Sequence, residues 1–364
     1  ASSDEDTRAR KPLRLLMAAR YGQLGASSRL RLIQYRPFLE DAGIATTLRG
    51  FLSDGYVRAL YGKGSRLPGI AGAYARALSA PLAARRQDIL WIEKEFLPWL
   101  PYAAERLAIG AKPYILDFDD AWSLRYERSG SRLVRRSLGD KFRHLVRGAA
   151  LTIVANDTLL AWAQAQGAKA TLRLPTVVDL DRYPLSPAPD GVFTLGWIGT
   201  PLTAAYLDTI AEPLRILAAE APLRLLIIGA PDKRIEGVDC VHAEWSEASE
   251  AAMIARCHAG IMPLPDDDWA WGKSGYKLIQ YMACGIPVVA SPVGVNADIV
   301  EHGVNGFLVE TENEWRSAIE ALLSDPELRR RMGGAGRQKV EEKYSLQVWG
   351  PKVAGMLREV AERA

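Results

Sequence analysis

Cysteine is scarce: Cys240, Cys257 and Cys284 are the whole supply in 364 residues. Their odd number and the absence of any C-x-x-C spacing exclude a disulfide framework and a zinc cage, and suggest a reducing compartment. Long apolar runs are missing too, and nothing approaches the ~20 residues that span a bilayer. The start, Ala1 to Lys11, is polar and mixed in charge, unlike a signal peptide. The expected location is therefore cytoplasmic. Histidine is also rare, and His144, His242, His258 and His302 are not spaced as metal ligands, so they are expected to be structural or exposed. No G-x-G-x-x-G follows a strand and no acidic residue marks a dinucleotide ribose, so NAD binding is not expected. The net charge is only +3, and no nucleic-acid partner is expected.

What is present is a globular composition, 48% hydrophobic and 24% charged, in a chain long enough for two cores. The near-neutral total hides an asymmetry. Residues up to 185 carry 29 Lys and Arg against 18 Asp and Glu, and the remainder 17 against 25, so the halves stand at +11 and −8. The basic half fits an anionic acceptor, a phosphate or an acidic membrane surface; two ordinary solvated surfaces are the other reading.

Short β-branched runs at 13–19, 88–93, 114–118, 151–155 and 170–175 alternate with helix-compatible stretches. The rhythm restarts after the turn-rich segment 183–191 (YPLSPAPDG), with runs at 193–198, 223–229, 238–242, 259–264, 286–291 and 306–309. Three prolines in six residues make that segment a candidate hinge. Continuous apolar runs such as Leu225 to Ile228 imply parallel sheets covered on both faces. The expectation is α/β with two doubly wound Rossmann-like domains facing a cleft: 1–185, 186–345, and a C-terminal helix over 346–364 packing back on the first domain. Ligands of such sheets bind beyond the C-terminal strand ends.

The most informative stretch runs from Gly272 to Ser291. A glycine loop precedes a short helix over 276–284 and a buried strand, which makes an anion site at the helix start after Gly275. Lys273 and Lys277 can add two positive charges there, although a surface turn with solvated lysines would read the same way. Ser291 to Asn296 follows a strand, so the backbone at Gly294, Val295 and Asn296 either faces a ligand or forms a plain turn. Trp197-Ile-Gly199-Thr200-Pro201 ends another strand, with Thr200 as a helix cap and Pro201 at the first helical position; Gly199 suggests a close approach.

In the first half, Gly22 and Gly25 precede a helix expected near Leu30. Tyr114 to Asp120 ends a strand in three carboxylates, with Asp117 and Asp119 on one face and Asp120 starting the loop. Asp-x-Asp also permits a metal-binding transferase with a single nucleotide-binding domain, which the second βα series argues against. Asp119 and Asp120 are otherwise strand-end caps paired with nearby arginines. From Arg125 to Arg147 there are eight basic and two acidic residues interleaved with apolar ones. That reads as a basic amphipathic helix, for a membrane, an anionic acceptor or its own core. Glu93-Lys94-Glu95 and Trp99 follow another strand end and are expected to help shape a ligand site there, while Asp266-Asp267-Asp268-Trp269 reads as a solvated flap.

The segments KLIQYMACGIPVVAS (277–291) and VGVNADIVEHGVNGFLV (293–309) resemble the donor-binding half of family 4 retaining glycosyltransferases, of the two-Rossmann class called GT-B. The resemblance implies donor contacts at Gly25, Arg29, Gly199, Thr200, Lys273, Ser274, Gly275, Tyr276, Lys277, Gln280, Gly294, Val295 and Asn296. Ser28, Asp119 and Asp120 would lie on the acceptor side, with Asp119, Asp120 and Lys273 catalytic. Family members usually carry two glutamates eight positions apart; here those positions are Gly272 and Gln280. The Arg and Lys often found after the first donor-domain strand are also absent, and Lys273 with Arg29 reaching across the cleft would replace that charge. Some relatives share the Lys-x-x-x-Lys-Leu arrangement of Lys273, Lys277 and Leu278.

The expected activity is thus retaining, metal-independent transfer of a sugar from a nucleotide-sugar substrate, without a cofactor, to a glycan, lipid-linked or other hydroxyl acceptor. Cell-surface polysaccharide or glycoconjugate synthesis is the expected setting, with peripheral contact at the inner membrane face left open. A non-catalytic nucleotide-sugar or glycan-binding partner and a nucleotide-sugar epimerase are the alternatives.

Overall fold

The computed structural model describes residues 12–61, 65, 67–187 and 189–363, so the N-terminal polar stretch lies outside the described residues. The chain divides into two compact units, one ending at Leu174 and resuming at Gly350, the other running Pro175–Trp349.

The first unit holds a six-stranded sheet of β1 (Leu13–Ala19), β2 (Ile44–Gly50), β3 (Ile89–Glu93), β4 (Tyr114–Phe118), β5 (Leu151–Val154) and β6 (Thr171–Arg173). Its order is β2-β1-β3-β4-β5-β6, every pairing parallel. The order turns back between β1 and β3, and ligands of such sheets gather at the C-terminal strand ends near that point. β3 and β4 are buried at every position, Glu93 and Asp117 included. Buried carboxylates require charge partners, so these two already announce a polar cluster beneath the surface.

The second unit contains β7 (Phe193–Ile198), β8 (Leu223–Ile228), β9 (Asp239–Ala243), β10 (Ala259–Met262), β11 (Val288–Ala290) and β12 (Gly306–Leu308), in the order β12-β11-β10-β7-β8-β9, again all parallel. Here the order reverses between β7 and β10. Tyr281 locks that point from the helix Tyr276–Ala283, because its hydroxyl accepts the Ile198 amide at 3.0 Å. The ring lies so close to Gly260 that a Cβ there would sit 2.3 Å from it.

Several local expectations change. β2 has no counterpart among the sequence runs: IATTLRG buries only Ile44 fully, as an edge strand with polar positions does. The basic segment 125–147 is three helices, Leu124–Glu127, Arg132–Leu138 and Lys141–Gly148, because Gly130-Ser131 and Gly139-Asp140 interrupt it. Ser131 caps the middle one. The proline-rich segment expected as a hinge begins inside the second unit, where Tyr183 is buried and bonds Glu250 at 2.8 Å. The last helix, Leu346–Arg363, contains Pro351, and from Gly350 onward it packs in the first unit. A Cβ on Gly350 would meet the Phe38 ring at 2.5 Å.

Candidate active site

In the second unit the chemistry gathers around one glycine-started helix. Asp267 caps the short helix Asp268–Trp271 through Ala270 N at 2.7 Å, so the expected flap is a capped helical turn. The chain then passes Gly272, Lys273 and Ser274 to Gly275, whose φ of 68° is left-handed. A Cβ there would lie 2.3 Å from the Ile299 side chain and 2.9 Å from Val295. Only glycine therefore fits. The helix Tyr276–Ala283 that follows has no side-chain cap, which leaves its positive end to attract an anion.

Two lysines flank that end. The Lys277 ammonium stands 4.4 Å from the centre of the Trp197 ring, and Lys273 stands 5.1 Å from that of Trp269. Burial, and then the charge of Lys273, lowers the Lys277 pKa to about 7. Gly199 is explained by the same packing, since a Cβ would sit 2.5 Å from the Trp197 ring and 2.9 Å from Lys277 Nζ. Gly294 turns at φ 58° against the Trp271 carbonyl, and Val295 behind it is buried. Asn296 is buried as well; its amide donates to Ser291 O at 3.0 Å, while its Oδ1 accepts no hydrogen bond. That oxygen lies 3.7 Å from the Cβ position of Gly275, beside the helix start.

Two donor-side expectations are corrected. Thr200 does not cap a helix: the 3-10 helix begins at Thr203, and the Thr200 amide donates to the Thr203 hydroxyl at 3.2 Å. Gln280 turns inward, donating from Nε2 to the Tyr183 hydroxyl at 2.9 Å. Tyr183 passes the chain on to Glu250, which also accepts Trp245 Nε1 at 2.8 Å. Sequence reasoning missed Glu250, because its burial depends on partners 5 and 67 positions away.

In the first unit, the helix expected near Leu30 begins at Ala26, which places Ser27, Ser28 and Arg29 in its first turn. Gly25 precedes it because a Cβ would meet the Tyr21 side chain at 2.3 Å. Ser28 is spent on structure, since its hydroxyl donates to Glu93 and accepts the Tyr21 amide at 2.9 Å. Arg29 is buried and bonds the carbonyl of Gln23 at 3.3 Å, within its own loop. Glu93 also accepts Ser27 Oγ at 2.7 Å and the Arg20 amide at 2.9 Å.

Beside Glu93, Lys94 reaches Ser27 Oγ at 2.8 Å and Asp119 Oδ1 at 3.0 Å, with its ammonium 4.7 Å from the Trp122 ring centre. Burial alone would push the Asp119 carboxyl up, but Lys94, Ser27 and Arg31 outweigh it and hold the pKa below the usual range. Lys94 is correspondingly held above its own. Asp119 is thus an ion-pair partner, while Asp120, half-buried in the next position, starts the loop. Asp117 is separate: it is fully buried against Arg31 at 2.8 Å and Trp91 at 3.2 Å, and burial pushes its pKa up to about 6.

Glu95 anchors the other side. It accepts Arg20 at 2.7 Å, Lys141 at 2.6 Å and the Tyr126 hydroxyl at 3.0 Å, and Lys141 also meets Glu105 at 2.7 Å. Lys141, Glu105 and Arg20 were not singled out by sequence; only the Glu-Lys-Glu run at a strand end signalled this cluster. Lys94 and Trp99 have φ of 63° and 62°, the two left-handed non-glycine residues among those described. Such backbone costs about 1–3 kcal/mol each and is retained where surroundings over-determine it, often at functional sites.

Residues 192–325 match the family described as Glycosyl transferases group 1. The N-acetyl-alpha-D-glucosaminyl L-malate synthase of Bacillus anthracis is 38% identical over 72 residues, 19% of each chain. The GDP-mannose-dependent monoacylated alpha-(1-6)-phosphatidylinositol monomannoside mannosyltransferase of Corynebacterium glutamicum is 26% identical over 322 residues, 78% of this chain and 80% of that one. Among solved structures, sucrose-phosphate synthase of Thermosynechococcus elongatus superimposes with a TM-score of 0.70 at 14% identity, covering 97% of this chain and all of that one. HepE of Anabaena, solved in complex with UDP-glucose, gives 0.67 at 16%, covering 95% and 100%. The fold is that of GT-B glycosyltransferases, two parallel sheets rather than the single nucleotide-binding domain that Asp-x-Asp permits. The second unit carries a glycosyltransferase group 1 domain.

Proposed function

We propose that the protein transfers a sugar from a nucleotide-sugar donor to a hydroxyl acceptor, with retention at the anomeric carbon and without a metal ion or cofactor. The observation that carries this reading is the pair Lys273 and Lys277 at the uncapped helix after Gly275, inside the stretch that matches the glycosyltransferase family. Lys277 has no carboxylate partner among the described residues, and burial with Lys273 beside it lowers its pKa to about 7, so an arriving anion would favour its charged form.

In this reading the donor diphosphate rests on the helix amides between the two lysines, and Asn296 Oδ1 accepts a hydroxyl of the donor. The acceptor oxygen attacks the anomeric carbon from the side the diphosphate leaves. The leaving phosphate oxygen takes the acceptor's proton as the glycosidic carbon–oxygen bond breaks. Charge gathering on the diphosphate is met by Lys273, Lys277 and the helix end, so no glutamate at Gly272 or Gln280 is required. Asp120 orients the acceptor hydroxyl, and Asp119 acts through Lys94.

An acceptor that is a glycan or is linked to lipid suits a cytoplasmic enzyme working at a membrane face. Among the described residues no helix is long and apolar enough to cross a bilayer. The helix Arg132–Leu138, with exposed Leu133 between arginines, is our candidate for peripheral contact. An epimerase is disfavoured because the buried acid bonded to the Gln280 network, Glu250, already accepts from Tyr183, Trp245 and Arg182. A binding partner without activity remains the rival. Incubation with UDP-, GDP-, ADP- and dTDP-sugars separates the two: slow release of nucleoside diphosphate from one donor supports the transferase, and binding with no turnover under any acceptor supports the rival.

A further inference from the structure

One group in the first unit is left unused by that reading. Trp99 is 43% exposed although its backbone is left-handed. It is also fixed: its amide donates to the Tyr126 hydroxyl at 3.0 Å, and that hydroxyl donates in turn to buried Glu95. The two rings meet edge to face at 5.1 Å. The short helix that supplies Tyr126 also supplies Arg125, which is exposed. The Arg125 guanidinium stands 5.2 Å from the centre of the Trp99 ring and 5.0 Å from that of Trp122. It makes no ion pair among the described residues. Trp122 carries Lys94 at 4.7 Å and Arg20 at 4.6 Å, so this arginine adjoins the Lys94–Asp119 strand ends.

We infer that Trp99 and Arg125 form an acceptor subsite for a sugar bearing an anionic group, a phosphate or a carboxylate. The indole offers a flat apolar face to a pyranose ring, and little is lost on binding because the strained backbone already holds it. The guanidinium, oriented by two indoles and lacking a carboxylate, presents its donors to the anion. A tryptophan serving only the core would not be left exposed on a left-handed backbone, and an arginine serving only solubility would not be gathered between two rings. The inference rests on the proposed transferase reading, from which it takes the role of the first unit as acceptor side.

Tryptophan fluorescence titration of the full chain with glucose 1-phosphate, glucuronic acid, methyl α-glucoside and inorganic phosphate tests it. The two anionic sugars should bind at least tenfold more tightly than the methyl glycoside and more tightly than phosphate. Arg125→Gln should remove that preference, and Trp99→Ala should weaken all three sugars at least fivefold. Trp99→Gly, which tolerates the backbone, should do the same without lowering Tm. Binding of the nucleoside diphosphate found in the donor screen should stay within twofold in every variant, so its absence in the wild type would count against the transferase reading alone. Equal affinity for charged and uncharged sugars, or an unchanged preference in Arg125→Gln, would overturn the subsite. Phosphate binding as tightly as glucose 1-phosphate would overturn the stacked sugar.

Discussion

The ammonium of Lys277 lies 4.4 Å from the centre of the Trp197 ring, and Gly199 is a glycine because both press against it. This contact stabilises a charge that burial and Lys273 otherwise oppose, leaving the Lys277 pKa at about 7 instead of 10.5. An arriving diphosphate restores the charge, so binding takes up a proton above pH 7. Affinity should be flat below about pH 7 and fall above it, by up to tenfold per pH unit. Calorimetry in two buffers of different ionisation enthalpy measures the uptake, and Lys277→Met should abolish it.

The same shift fixes a stability effect. Between pH 7 and 10.5 the unfolded chain holds the Lys277 proton and the folded chain does not, so stability rises with pH through that window. Lys277→Met should therefore raise Tm at pH 7 by a few degrees, of order 1–2 kcal/mol, while impairing diphosphate binding. A lower Tm with intact binding would make Lys277 a packing residue.

Asp119 and Asp120 should separate. Asp119→Asn removes the counter-charge of buried Lys94 at 3.0 Å, although Glu93 remains at 3.6 Å. It should cost about 1–3 kcal/mol in urea unfolding as well as transfer activity. Because its folded pKa is depressed, that contribution is present above the unfolded value near 3.9 and is lost as pH falls below it. Asp120→Asn should lower transfer tenfold or more, with nucleotide affinity within about threefold, under ~1 kcal/mol.

Lys141 tests the buried cluster. Lying between Glu95 and Glu105 with no exposed atom to speak of, it is a structural cation. Lys141→Met leaves two buried carboxylates facing each other and should destabilise the fold by about 3–5 kcal/mol. Arg136→Gln, on the exposed helix nearby, should stay within about 0.5 kcal/mol.

The strands illustrate how far sequence carries. Eleven of the twelve overlap the runs read from sequence, the interior ones because buried parallel strands leave few polar positions. β2 does not, being a part-exposed edge strand that carries Thr46, Thr47 and Arg49. At the site, Gly275 and the lysines around it could be read locally, since loop, helix start and charge are consecutive. The inward turn of Gln280 and the partners of Lys141 could not, because they depend on Tyr183, Glu95 and Glu105, residues 36 to 97 positions distant. Arg29 could not be placed from sequence either: the helix starts at Ala26 instead of near Leu30, which puts it in the first turn, where it is buried.

Turnover should persist in excess EDTA, because protein cations rather than a metal meet the diphosphate charge. Loss on chelation, restored by manganese or magnesium, would move the chemistry to a metal clamp and reopen the Asp-x-Asp reading of Asp117 and Asp119.

The central claim is that a nucleotide-sugar is bound and broken at the helix that starts after Gly275. Calorimetric titration of the wild type and Lys273→Ala with UDP, GDP, ADP and dTDP, paired with mass-spectrometric release of the same diphosphate from its sugar, tests it directly. One diphosphate should bind and be released by the wild type, with Lys273→Ala weakening it by about 1–3 kcal/mol and slowing release at least as much. Failure of all four to bind, or binding and release unaffected by Lys273→Ala, would contradict it.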